Sequence, residues 1–290
     1  MAKKDLIIGA FKNYNYNQIK PWIESINQSG FEGDKVLIAL NATFETIEKI
    51  EAAGFKVVRP GGTSNMMFHM ERFIHIYTYL LHNHQNYRYV ITTDVRDVVF
   101  QSNPSKYLEN VLWDGSHGPF IVASSEAIQI KNEKWNHDNI LTCFGQFFLD
   151  QIKEKPVYNV GTLAGYSEHI KDLCAMLFQM SSNRKDWVAD QAAYNIMLNV
   201  LPYNDGSYTH FSQLAEGWTC NLHVTNKPDQ MEEFGPYLLE PRPVFKDGQV
   251  VTGVTGEPYC IVHQYDRVPE WKKFFEGKYH VENVITFRTE

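Results

Sequence analysis

An α/β fold with a mostly parallel sheet sandwiched by helices is expected from three features of the 290-residue sequence. Apolar runs of strand length alternate with segments of helical periodicity through the first hundred residues, and right-handed crossovers make such strands parallel and cover both faces of their sheet. At 43% hydrophobic and 21% charged residues the chain has a globular composition,. No linker, repeat or low-complexity tract interrupts it, so residues 1–290 are read as one compact domain,.

Residues 5–10 form the first expected strand. Ile19, Trp22, Ile23 and Ile26 recur at helical spacing, with Pro21 placed in a first turn where it is tolerated,. Residues 35–40 (KVLIAL) read as a buried strand. Thr43 can cap a helix carrying Phe44, Ile47 and Ile50, and Gly54 can end it,. Residues 56–58 form a third strand, stopped by Pro60, Gly61 and Gly62. Met66, Met70, Phe73, Tyr77 and Leu80 mark a longer helix, and residues 89–93 (YVITT) a fourth strand. Beyond residue 100 the pattern loosens. Residues 120–123 and 157–160 read as strands. Ser167 reads as the cap of a helix burying Ile170, Leu173, Cys174 and Leu177. A further helix runs through Ala189, Ala192, Ala193, Ile196, Met197 and Val200. The Gly-, Pro-, Asn- and Asp-rich stretch 201–259 is expected as loops and short strands, before a late strand at 260–262,.

A net charge of −7 argues against nucleic acid as a partner, since phosphate binding needs a basic footprint,. No run of 18 apolar residues is present, so no transmembrane segment is expected, and the apolar N-terminal stretch is too short for a signal peptide,. The four cysteines, Cys143, Cys174, Cys220 and Cys260, form no CxxC pair. That excludes a zinc ribbon and fits a reduced, cytoplasmic setting.

The chemistry concentrates in four places. The strand ending at Thr93 runs into Asp94 and Asp97, followed by the apolar Val98, Val99 and Phe100. A divalent cation bound to phosphates needs one or two carboxylates, and ligands gather at the carboxyl ends of parallel strands. A surface turn with a local ion pair through Arg96 is the bland alternative. Asn159 and Gly161 offer a donor, an acceptor and close backbone approach, or an ordinary turn. Asp190 and Gln191 open a helix, where a carboxylate is favoured by the dipole and a cap is the simpler explanation. His263 stands at a strand end with Arg267 four residues on, as a third metal ligand or as a core histidine.

In this order, the four pieces resemble nucleotide-sugar glycosyltransferases of the GT-A fold, most closely the retaining family 8 type. The resemblance spans residues 5–267 in layout and rests on these short motifs. It implies that Asp94, Asp97 and His263 hold Mn²⁺ or Mg²⁺ against the donor diphosphate. The spacing here is Asp-Val-Arg-Asp rather than Asp-x-Asp, which leaves open which carboxylate binds the metal. It implies that Asn159 and Gly161 contact the donor sugar. Asp190 and Gln191 form the catalytic pair, Asp190 orienting sugar hydroxyls and Gln191 near the anomeric centre. The family's Lys-Pro-Trp after the histidine is missing; Arg267 stands in for the lysine as phosphate ligand, and Arg96 beside the diphosphate. Ala10 ends the first strand, so Lys12 and Tyr14 fall where base and ribose dock. Arg72 reaches the donor or anchors Asp94, or else is a solvated helix arginine. Residues 1–100 would form the nucleotide-binding half and 101–290 the half for donor sugar and acceptor.

The implied function is transfer of a sugar from a nucleoside-diphosphate donor, UDP favoured over GDP, to a hydroxyl of a carbohydrate or glycoconjugate, as in polysaccharide biosynthesis, with retained configuration. Were the configuration inverted, Asp190 or Glu216 would serve as base. Trp187, Tyr208, Phe211 and Trp218 form either an acceptor wall or core. A sugar-nucleotide nucleotidyltransferase would want a glycine-rich first turn, where only Gly9 stands, and a non-catalytic carbohydrate- or nucleotide-binding module is the third reading. No GxGxxG or GxSxG is present for a dehydrogenase or serine hydrolase,.

Overall fold

The apolar runs of the N-terminal third become the parallel half of a seven-stranded sheet. The computed structural model describes residues 3–61, 65–112, 118–184 and 188–281. Strands β1 (Lys4–Lys12), β2 (Asp34–Leu40), β3 (Lys56–Val58) and β4 (Tyr87–Thr93) are connected by α1 (Tyr16–Gln28), α2 (Phe44–Ala52) and α3 (Phe68–Asn83). The chain continues through β5 (Val98–Phe100), α4 (Pro104–Val111), β6 (Ile121–Gln129), α5 (Lys134–Phe144), α6 (Gln146–Ile152), β7 (Pro156–Tyr166), α7 (Ser167–Ser181) and α8 (Ala189–Met197). Short elements follow, as expected for 201–259: β8 (Thr209–Ser212), β9 (Thr219–Asn221), α9 (Met231–Phe234), β10 (Val244–Lys246) and β11 (Gln249–Val251). Then come β12 (Ile261–His263) and α10 (Pro269–Lys278).

The large sheet has the order β3-β2-β1-β4-β7-β6-β8, and β7 alone runs antiparallel to both its neighbours. Alternation along each strand feeds two cores. Leu6, Ile8, Val36, Ile38 and Val90 face Phe73, Ile76 and Leu80 of α3 and Leu173 and Leu177 of α7. Ile7, Leu37 and Ile91 face Trp22, Ile23 and Ile26 of α1 with Phe100 and Leu108. Both faces are thus covered, and the strands are apolar on both sides. The order reverses between β1 and β4, the switch point at which α/β sheets open a crevice,.

Local chemistry sets the helix ends. Asn15 and Gln18 form a reciprocal capping box for α1,. That cap starts the helix a turn earlier than expected, so Pro21 lies inside it rather than in its first turn. The Thr43 hydroxyl accepts the Thr46 amide at 3.2 Å, and Gly54 (φ +87°) ends α2. Helix α3 begins at Phe68, which leaves Met66 outside it, and α8 ends at Met197, short of Val200. Ser167 is not a cap: it is the first helical residue of α7, and its hydroxyl donates to the His84 and Tyr87 carbonyls, each at 2.8 Å.

Two corrections matter for the site. β1 runs to Lys12, two residues past Ala10, because its pairing with β2 continues to Leu40. The Asn159–Gly161 segment does not follow a short strand but lies within the 11 residues of β7. Gly165 pairs with Val90 of β4 and Ile121 of β6, which carries the strand through it, whereas Gly161 falls where the pairing is interrupted. Between Ala123↔Leu163 and Ser124↔Asn159 the β6–β7 register jumps, so β7 bulges at residues 160–162,. A second sheet, β5-β12-β9, sits beside this bulge.

Candidate functional site

Strand register assembles the site. β4 ends at Thr93, and the Asp94 amide donates to the Gly161 carbonyl on the bulge at 2.8 Å. Asp97 precedes Val98, which faces His263 in the antiparallel β5–β12 pair; His263 also faces Asn221 in the parallel β12–β9 pair. Three distant segments therefore end at one place. There, Asp94, Asp97 and His263 each offer a ligand atom, all within 4.8 Å of one another.

The imidazole is oriented for coordination. The Asn221 amide nitrogen donates to the Ser125 carbonyl at 3.2 Å, which turns its oxygen toward His263 Nδ1, 3.0 Å away. Nδ1 must then carry the proton, and the Nε2 lone pair points at Asp94 Oδ2 (3.5 Å) and Asp97 Oδ1 (3.9 Å),. Burial pushes the His263 pKa below its usual value despite the attraction of Asp97 and Glu126. A neutral imidazole with two carboxylates is a donor set that fits a divalent cation. Gly161 keeps this space open: a methyl group there would collide with the His263 ring and crowd Asn159 Oδ1 and Asp94 Oδ2.

Arg72 is buried, not solvated. Its guanidinium pairs with Asp94 and, at 3.1 Å, with Asp190, so one side chain ties the end of β4 to the start of α8. Asp190 does not cap its helix: the cap position is Val188, with no side-chain hydrogen bond. Its Oδ1 is buried without a partner at the cavity wall. Arg96 and Arg267 approach Asp97 from the rim at 3.7 and 3.8 Å and share Asp266 at 3.3 and 3.0 Å.

These residues surround a cavity of about 390 Å³. Ala10, Tyr14, Arg72, Asp94, Arg96, Asp97, Asn159, Gly161, Asp190, Gln191, His263 and Arg267 all line it. Lys12 does not line it; the extra length of β1 takes it to Glu71, 2.9 Å from its ammonium. Glu216 is elsewhere, holding the Gln213 amide, His210 and Tyr107. Of the aromatics read as either acceptor wall or core, the described ones do not line the cavity. Tyr208 packs on Phe120 and Tyr203, Phe211 on Tyr158, and the buried Trp218 on Tyr107. Trp187 lies outside the described residues. The wall instead has Tyr14, Phe68 and the half-exposed Trp135, together with His69. A second cavity of about 520 Å³ adjoins it and shares Trp135 and Val188.

Beneath the floor lies a polar layer that the sequence did not announce. The Glu126 carboxylate is buried between the Asn159 and Gln191 amides, at 2.7 and 2.9 Å. Burial and the nearby Glu133 push its pKa up to about 7, against its two amide donors and His263. A carboxyl whose folded pKa lies above its unfolded value takes up a proton on folding. Its ionisation therefore costs stability as pH rises from the ordinary carboxylate range through 7, and the cost is absent at lower pH. Relative to the parent, Glu126→Gln should be more stable at pH ~8 than at pH ~4.5 by on the order of 3 kcal/mol. Urea unfolding at both pH values checks this; an unchanged difference would refute it.

No family model matches the sequence, and no curated protein matches it. Solved structures match its fold. The bifunctional glycosyltransferase WbbM in its apo form superposes with a TM-score of 0.56 at 12% identity over 98% of this chain, which spans 50% of WbbM. An active-site mutant of LgtC gives a TM-score of 0.53 at 12% identity, covering 96% of this chain and 97% of that one. The galactosyltransferase LgtC, in complex with donor and acceptor sugar analogues, gives 0.51 at 11% identity, covering 97% and 98%. The chain therefore has the fold of GT-A-type glycosyltransferases. Among the described residues, no helix is long and apolar enough to cross a membrane.

Proposed function

We propose that this chain transfers a glycosyl group from a nucleoside-diphosphate sugar, UDP favoured, to a hydroxyl of a carbohydrate or glycoconjugate, with a divalent cation and retained configuration. The observation that carries this is the convergence of Asp94, Asp97 and His263 on one point of a cavity that Asp190 and Gln191 also line. Charge supports the cation. Around the cavity, the guanidinium groups of Arg72, Arg96 and Arg267 already meet the carboxylates of Asp94, Asp97 and Asp190. A diphosphate entering a balanced site needs further positive charge.

Asp94, Asp97 and His263 would hold Mn²⁺ or Mg²⁺, which supplies Lewis-acid stabilisation of the departing diphosphate. Arg96 and Arg267, at the rim, exchange their long contacts with Asp97 for phosphate oxygens. Tyr14, stacked on buried Phe11 at 6.5 Å, offers its ring to the base. Asp190 Oδ1 accepts a donor-sugar hydroxyl, and Arg72 fixes that carboxylate. Gln191 lies beside the anomeric carbon. The bond from that carbon to the diphosphate oxygen breaks, and the acceptor oxygen bonds on the same face. The acceptor proton passes to the leaving oxygen, since Asp190 is committed to Arg72. Residues 1–100 would supply most of the nucleotide side and residues 101–290 the sugar side, with His263 and Arg267 joining the first at the diphosphate.

The acceptor enters through the adjoining cavity, across Trp135. Trp135→Ala should leave donor hydrolysis intact and raise the acceptor KM about tenfold; an unchanged KM would remove Trp135 from the acceptor path. The central test is thermal unfolding with UDP-, GDP- and dTDP-sugars, with and without Mn²⁺, followed by an assay of nucleotide release. Cation-dependent stabilisation with slow release is expected. Tight sugar binding with no release from any donor would favour a binding module and overturn the reading.

A further inference from the structure

The Glu126 carboxylate has no part in the chemistry just described, yet it sits at the centre of the layer under it. Its Oε1 accepts from both Asn159 Nδ2 and Gln191 Nε2. The oxygens of these two amides face the other way, onto the bulge: Asn159 Oδ1 accepts the Gly161 amide at 2.7 Å, and Gln191 Oε1 accepts the Val160 amide at 3.3 Å. Each side-chain amide is thus gripped at both ends, oxygen by backbone and nitrogen by Glu126. Turning either over would set an NH₂ group against a backbone N–H. Asn136 Oδ1, at 3.0 Å, is the other acceptor for Gln191 Nε2.

The backbone under Glu126 is unusual. Ala127, the next residue, has φ +54°, a conformation that L residues rarely adopt,. The turn is held from three sides: Ser125 Oγ accepts the Ala127 amide at 2.9 Å, the Ala127 carbonyl accepts the Leu239 amide at 2.8 Å, and Asn221 holds the Ser125 carbonyl. Strained backbone persists where its surroundings over-determine it, and it clusters at functional sites. The other Glu126 oxygen, Oε2, is buried without a partner, so the geometry requires an acceptor at Oε1 and nothing of Oε2.

We propose that Glu126 is the positioning residue of the site: it fixes which way the Asn159 and Gln191 amides face, and so fixes the Gln191 side chain at the reacting carbon. Its kinetic consequence rests on the transfer reading above; its structural consequence does not.

Two variants separate acceptor from charge. Glu126→Gln keeps an oxygen at Oε1. Glu126→Met keeps the length and removes the acceptor. In side-chain ¹⁵N–¹H spectra, the Asn159 and Gln191 NH₂ signals, assigned through Asn159→Asp and Gln191→Glu, should hold their positions in Glu126→Gln and shift or broaden in Glu126→Met. This arm needs no turnover, so its failure is distinct from failure of the transfer reading. In the nucleotide-release assay, Glu126→Met should lower kcat roughly 10- to 100-fold, the scale of a misplaced reacting group, with donor KM nearly unchanged. Glu126→Gln should recover most of that loss, and Glu126→Met should cost less in a Gln191→Ala background. Unmoved amide signals in Glu126→Met would overturn the proposal. So would a Glu126→Gln variant, folded and nucleotide-binding, that turns over as poorly as Glu126→Met. Should Glu126→Met not fold, Glu126→Gln alone decides, because loss of its kcat contradicts a role that needs only the acceptor.

Discussion

Asp97→Ala is expected to fold as the parent does and to lose cation-dependent nucleotide binding. Its carboxylate is one of three ligand atoms gathered within 4.8 Å, and removing it leaves an imidazole and Asp94, which is already paired with Arg72. Cation affinity should fall by at least about 100-fold, the upper end of what losing even an outer partner costs. Stability should hardly change. The ion pairs lost are long ones, 3.7 Å to Arg96 and 3.8 Å to Arg267. The hydrogen bond from the Gln264 amide goes to the Asp97 main-chain carbonyl, which the variant keeps. The freed arginines give a sharper signature: without added metal, the variant should bind a nucleoside diphosphate better than the parent does. Titration calorimetry of UDP with and without Mn²⁺ measures both effects. Full cation dependence in Asp97→Ala would end the metal assignment.

The largest stability effect should come from Arg72→Met. The guanidinium lies between two carboxylates on separate segments, and Asp190 is only 2% exposed. Removing one partner of a buried pair strands the other charge, which typically costs about 3–5 kcal/mol. The same change releases Asp94 from α3 and loosens the proposed cation site, so nucleotide binding should weaken as well. Asp190→Asn in the Arg72→Met background should restore part of the stability, because the stranded charge is then gone, but not the turnover. Urea unfolding of the two single variants and the double closes the cycle. Strict additivity would mean that the Arg72–Asp190 contact carries no energy.

Local patterning made the first four strands legible, since each is an apolar run separated from the next by a segment of helical periodicity. It also made the acidic strand end legible. Asp94, Asp97, Asn159, Gly161, Asp190, Gln191, His263 and Arg267, chosen from four separate stretches, line one cavity. What stayed hidden depends on pairing rather than composition. The bulge at residues 160–162 exists only against β6, and Asn221 reaches His263 only through the β9–β12 register. Glu126 did leave a trace: a single acid within IVASSEAIQ, a stretch otherwise free of charge. In a strand buried along almost its whole length, an unexplained carboxylate is itself a signal. The aromatic residues stayed ambiguous because aromatic richness alone does not tell core from wall. Tyr208, Phe211 and Trp218 found partners among other rings, whereas Trp135, on a helix that the sequence did not announce, stands in the cavity wall.

The three-stranded sheet that sets His263 beside Asp97 joins parts of the chain that are synthesised far apart. Its hydrogen bonds have high contact order, so they are expected among the last to form during folding,. Cation binding would then report on the completeness of the fold. A lesion that breaks the β9–β12 or β5–β12 pairing should abolish it while the large sheet still protects its amides from hydrogen exchange. A preparation that looks native by circular dichroism could be catalytically blank for this reason alone.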